Sequence, residues 1–330
     1  MVEQPPLIQK TSIRKYIHKN FECITSENDI IKIGVLPQIG GKMIELWDKR
    51  TQQQFLLEPQ NDSGMYEAST FAKDFSLFDI SGFDECFPTV EASDPFPDHG
   101  EVWSRPWNYV IHDQSIEMSI QGVNAHYEFK KLMWLENNSV HIQYHVVNNM
   151  DVPFQFLWSA HPLLHVKSGA RIMLPKSVRR VFLNWTSNSN IGSYGDFLQW
   201  PLKFKGDGET LDFSVVPNVT ANVAVKCFTD ALEEGFAGLY YPETNRTLLF
   251  KFDPADIPYV GLWLCYGGWP VDSPKKQFTI AIEPCNGRPD KLQNAIQRRE
   301  CQVLAPHESK TWHLSISVHE GIKTSATHGN

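Results

Sequence analysis

Apolar and polar residues alternate with a period of two along much of the chain, which is the signature of β-strands. In FTIAIE, Phe278, Ile280 and Ile282 share one face, and Thr279, Ala281 and Glu283 share the other. TLLFKFD, YVGLWLCY and KTWHLSISV read the same way. DIIKIGVLPQIGGKMIELWDKRTQQQFLL predicts several short strands, turned at Gly40-Gly41 and at Asp48-Lys49. VHIQYHVVNNMDVPFQFLWSAHP predicts two more, joined where Asn148, Asn149 and Asp151 cluster. Only DKLQNAIQRRE, after Pro289, has a helical period: Asp290 is placed to cap it, and Leu292, Ala295 and Ile296 share a face. The fold class expected is all-β, a large antiparallel β-sandwich with few short helices. No linker, low-complexity tract or repeat divides the chain, so one domain is expected over residues 1–330, with its core at about 30–318.

Composition narrows the function classes. Of 330 residues 42% are hydrophobic, enough for a large core, and the net charge is -8. An acidic chain without a basic run is a poor binder of nucleic acid or anionic membranes, so neither is expected as a partner. The opening MVEQPPLIQK has no apolar leader core, and the expected location is the cytoplasm. Six cysteines without a C-x-x-C pair read as reduced structural thiols.

Three segments carry candidate chemistry. GFDECFPTV, Gly82 to Val90, is followed by PDHGEVWSRPW, where His99 sits between Asp98 and Gly100 and ahead of Trp103 and Trp107. Flat indole faces suit the C–H faces of sugars, and His, Asp and Glu suit their hydroxyls. FQFLWSAHPLLHV puts Leu157, Ser159 and His161 on one strand face, and a histidine before proline is expected at a strand end or bulge. The third segment holds Glu283, expected to end its strand with Pro284 fixing the turn behind it. His161 and His165 are four apart, but Pro162 opposes a helix and no glutamate follows His161, which excludes the zinc-protease pattern. Nucleophile-elbow and phosphate-loop signatures are missing. A metal held by His99, His161 and an aspartate is the lesser reading of these residues; no metal and no cofactor is expected.

Taken together and in order, GFDECFPTV, PDHGEVWSRPW, FLWSAHPLLHV and IAIEPCNGRPD resemble the galactose mutarotase-like superfamily of aldose 1-epimerases and hexose-phosphate epimerases. The likeness extends over roughly residues 30 to 318 and includes LPQIGGKMIELWD as an opening hairpin. It implies a β-sandwich with a sugar cleft on one concave face, Glu283 as general base, His161 as general acid and His99 as a further active-site histidine. It implies substrate contacts from the Asp84 segment, and Trp103, Arg105 and Trp263 are further candidates to touch the sugar. The expected activity is isomerisation: ring opening that interconverts the anomers of a hexose. The hexose-6-phosphate branch would place an arginine four residues after His99, where Trp103 stands, leaving Arg105 or Arg288 to meet a phosphate. A carbohydrate-binding protein without catalysis and a sugar lyase are the other readings of the same scaffold.

Overall fold

The computed structural model describes residues 11–205 and 210–323. The first ten residues, read above as lacking a leader, lie outside the described residues. The architecture is that of a large antiparallel β-sandwich, as the alternation predicts. A 12-stranded sheet carries, at its centre, Phe83–Cys86, Ser159–Leu164, Phe278–Cys285, Tyr259–Tyr266 and Val223–Thr229, side by side in that order. Hairpins from Ser12–His18 through Lys42–Asp48 extend one wing, and Arg180–Thr186 with Phe197–Gln199 the other. An 8-stranded sheet runs Arg171–Met173, Phe236–Tyr241, Arg246–Phe252, Ser309–Glu320, Ser139–Asn148, Tyr127–Glu136, Ser115–Gln121 and Asn108–Ile111.

One apolar cluster fills the space between the sheets. It takes Ile280 and Ile282 from the first sheet, and Phe129, Tyr144 and Ile316 from the second. The opposite, outward face of Tyr127–Glu136 is half-buried to exposed, so that strand alternates cleanly. Phe278–Cys285 does not alternate in burial: seven of its eight residues are buried on both faces. Its second face is covered as well, with Ala281 packed against Leu57 and against its cross-strand neighbours Leu163 and Trp263. That covered face is where the candidate site lies.

Three local expectations change. The strand does not end at Glu283 but runs through Cys285, and Pro284 pairs with Val260 instead of making a turn. His161 sits inside Ser159–Leu164, not at its end. The ladder to Phe278–Cys285 is interrupted there, between the pairs Ser159–Cys285 and Leu163–Ala281, because Pro162 has no N–H to donate. The helix is Leu292–Arg298, but Lys291 is its N-cap residue and makes no side-chain cap; the N–H groups of Leu292 and Gln293 donate instead to Thr89 Oγ1 and Ser93 Oγ, and Asp290 turns its carboxylate the other way. Among the described residues no helix is long and apolar enough to cross a membrane.

Candidate functional site

Five central strands set the site by register. Ser159 opposite Cys285 and Leu163 opposite Ala281 bring His161 across from Glu283, and His161 pairs with Asp84 on its other side. Glu283 pairs in turn with Gly261. A Cβ on Gly261 would lie 3.1 Å from Glu283 Oε2, so the missing side chain leaves the carboxylate room to lean along the sheet. It leans toward Lys226, which donates a hydrogen bond to Glu283 Oε2. Ser159 Oγ also donates to that oxygen, at 3.5 Å. Glu283 Oε1 is buried with no partner among the described residues, and the same holds for His161 Nδ1. Burial without a partner is costly for such atoms.

Glu283, His161 and Lys226 line a cavity of about 410 Å³. Lys226 is held between Glu283 and Asp290, whose Oδ1 lies 3.4 Å from its ammonium. Burial works to discharge Lys226, but the two carboxylates outweigh it and raise its pKa above the ordinary lysine value. Burial raises the Glu283 carboxyl, with Lys226 pulling back and Asp290 adding to the rise. Asp290 is raised for the same reason, and Asn184 Nδ2 donates to its Oδ2 at 2.9 Å. His161 falls well below the ordinary histidine value, first by burial and then by the positive charges of His99, Lys226 and Lys42.

His99 reaches the cavity from the loop after Phe83–Cys86. It takes a left-handed backbone, φ 57°, as does Gly100, φ 77°, and a Cβ on Gly100 would collide with Phe87 O at 2.0 Å. Asp98 Oδ2 holds His99 Nδ1 at 3.0 Å. Burial opposes ionisation of Asp98, but the hydrogen bonds from His99 and from the backbone N–H groups of Phe75 and His99 outweigh it and keep the carboxyl below its usual range. Phe75 stacks on His99 with ring centres 4.2 Å apart and meets His161 edge-on at 5.4 Å. The facing wall is aromatic: Trp263 lies between Trp185, at 5.7 Å, and Trp269, at 6.0 Å.

The structure thus brings Glu283, His161, His99 and Trp263 to one cavity. It does not bring Asp84, Trp103 or Arg105 there, although each was expected to touch a substrate. Asp84 is buried beside Lys42, at 3.2 Å. Trp103 is buried behind the site, donating to Asp98 O and meeting Phe75 edge-on. Arg105 donates to Gln121 O, and Arg288 is tied to Thr229 O, Asp230 and Glu300. Sequence reading missed Lys226, Asp290, Asn184, Trp185 and Trp269. A lysine inside the otherwise apolar VAVKCFT was the visible signal for the first.

The sandwich, with a cavity on the covered face of its larger sheet, has the galactose mutarotase-like fold. A galactose mutarotase-like protein from Clostridium acetobutylicum superposes with a TM-score of 0.66 at 15% identity, covering 94% of this chain and 99% of that one. The Slr1438 protein from Synechocystis sp. PCC 6803 gives 0.65 at 15% identity, over 97% of this chain and 100% of that one. A TPR-domain containing protein from Parabacteroides distasonis gives 0.65 at 14% identity over 94% of this chain, which spans only 49% of that longer one. By sequence, the chain belongs to the family described as a domain of unknown function (DUF5107), which it matches over residues 7–268. No curated protein matches it.

Proposed function

We propose that the protein is a sugar isomerase that opens and recloses a hexose ring, interconverting its anomers, with Glu283 and His161 as its proton-transfer pair. The observation that carries this reading is the pair of buried, unpartnered atoms, Glu283 Oε1 and His161 Nδ1, facing one cavity from adjacent strands. Ring opening takes the proton from the anomeric hydroxyl and gives one to the ring oxygen; after rotation about C1–C2 the two transfers reverse. In water a glutamate near about 4.3 and a histidine near about 6.5 keep the proton on the imidazole. Here burial raises the first and lowers the second, which works against that preference. A pair without the ordinary preference for the imidazole suits a reaction that must run in both directions. The tryptophan wall of Trp185, Trp263 and Trp269 offers the stacking surface. His99, held by Asp98, is a hydrogen-bonding group for the sugar.

Charge favours a sugar without phosphate. Asp74, Glu91, Asp98, Glu283 and Asp290 line the cavity against the single ammonium of Lys226, which two of them already neutralise. Among the described residues a phosphate would find no free cation lining the cavity, and both candidate arginines are engaged elsewhere. The test is polarimetry of freshly dissolved α-glucose and α-galactose at low temperature, beside their 6-phosphates. Acceleration with a free sugar, lost in His161→Ala and Glu283→Gln, is the expected result. Acceleration with the 6-phosphates alone would overturn the charge argument, and acceleration that survives both substitutions would overturn the pair.

A further inference from the structure

Cys86 is the member of GFDECFPTV to which sugar chemistry gives no task. It lies two residues after Asp84, opposite Ser159, on the side of its strand that faces the site, and it is fully buried. Its sulfur, one ring nitrogen of His99 and one of His161 all lie within 4.8 Å of one another. We propose that these three side chains bind a divalent transition-metal ion of the zinc class, with the fourth coordination position open to the cavity.

The donor set fits that class: one thiolate and two imidazoles, leaving one position for water or a sugar hydroxyl, is a set zinc accepts. Tetrahedral bonds of about 2.1 Å to nitrogen and 2.3 Å to sulfur want donors roughly 3.4–3.6 Å apart. Closure from the observed spacing asks for about an ångström of side-chain movement, and His99 sits on a loop. Two features of the surroundings point the same way. Asp98 holds His99 Nδ1 at 3.0 Å, the carboxylate–histidine arrangement that orients a ligating imidazole and leaves Nε2 for the ion. His161 Nδ1 is buried without a partner. Binding converts the Cys86 thiol to thiolate and requires both imidazoles neutral, so protons leave as the ion binds. The ion would occupy the lone pair of His161 and shut off proton transfer to a sugar. That consequence rests on the isomerase reading, but the binding itself does not.

Cobalt(II) titration of the reduced full-length protein tests the proposal without any substrate. A thiolate-to-cobalt charge-transfer band should saturate at a single equivalent and vanish on adding zinc. Cys86→Ser should abolish the band while the other five cysteines remain. Since a buried substitution can unfold the chain, Asp98→Asn serves as a second variant and should weaken cobalt affinity by about 10–100-fold with the band shape kept. No thiolate band in the wild type, a band that survives Cys86→Ser, or an unchanged affinity in Asp98→Asn would each overturn the site.

Discussion

Two glutamates, Glu85 and Glu283, are buried in neighbouring regions of the same sheet, and their surroundings differ in one respect. Glu85 faces the space between the sheets. Lys131 and Tyr144 donate to its Oε1, at 3.3 and 3.0 Å, and Trp158 Nε1 donates to its Oε2 at 3.0 Å. Glu283 faces the cavity, has both of its donors on one oxygen and leaves the other bare. A buried carboxylate whose oxygens are both satisfied fixes a structure, and one left half-satisfied is held ready for something else. Burial alone does not separate the two cases.

Exchanging each carboxylate for an amide is the sharpest way to break this contrast. Glu283→Gln should lower the rate of mutarotation by about 10²–10⁴-fold, the usual range for one acid–base group, and should cost less stability than Glu85→Gln because Asp290 still pairs with Lys226. Glu85→Gln should do the reverse. It leaves the Lys131 ammonium buried against a neutral group and should cost about 3 kcal/mol of stability, while the molecules that fold keep their turnover. Denaturant unfolding and polarimetry on the two variants measure both axes. If Glu283→Gln unfolds the protein as readily as Glu85→Gln, the distinction between the two sites is lost.

Removing the cation beside Glu283 has the next effect. Lys226→Met strands two buried carboxylates, Glu283 and Asp290, whose pKa values burial has already raised. Without the ammonium both rise further above their unfolded values. A carboxyl raised in the folded state contributes stability that is complete below its unfolded pKa and is lost as pH climbs through the folded one. The variant should therefore approach wild-type stability below about pH 4 and fall about 3 kcal/mol or more behind it at about pH 8. The acid limb of its mutarotation profile should move to higher pH. An equal deficit at both pH values would mean that Lys226 does not keep Glu283 ionised.

The contrast also explains what the sequence could reveal. Alternation in FTIAIE and FQFLWSAHP placed Glu283 and His161 on one face of each strand, and the order of the motifs linked them. His99 was legible because His-Gly before tryptophans marks a loop with unusual backbone. Lys226 was not, because nothing local shows that VAVKCFT lies two strands from Glu283; only the sheet order Phe278–Cys285, Tyr259–Tyr266, Val223–Thr229 does. Asp290 read as a helix cap since Asp before a helical period fits that role locally, and the competing attraction of Lys226 comes from far along the chain. Trp103 and Arg105 were drawn toward the site by closeness to His99 in sequence, yet their polar groups bond to Asp98 O and Gln121 O.

Asp84 stands between the two glutamates in character, and it sharpens the comparison. Neither oxygen accepts a hydrogen bond, as at a functional site, yet it does not line the cavity. Lys42 serves two acids: its hydrogen bond goes to Asp79 at 2.9 Å, and Asp84 lies 3.2 Å away. The partners respond oppositely, since the two carboxylates raise Lys42 against the pull of burial, whereas burial pushes Asp84 up to about 6 with Lys42 offsetting only part of it. The geometry accounts for this, because a single ammonium with its bond given to Asp79 leaves Asp84 to bear the desolvation. The folded pKa then exceeds the unfolded value, so stability from this group is complete below about pH 4 and is lost as pH rises to about 6. That shift corresponds to about 3 kcal/mol. Asp84→Asn should remove that slope: its unfolding free energy should change less than wild type between pH 4 and pH 6, with mutarotation at pH 7 reduced less than tenfold. A slope that persists in the variant would assign it to other carboxylates. A loss of activity as large as that in Glu283→Gln would place Asp84 with the proton-transfer pair and show that a polar atom can serve the site from behind the cavity wall.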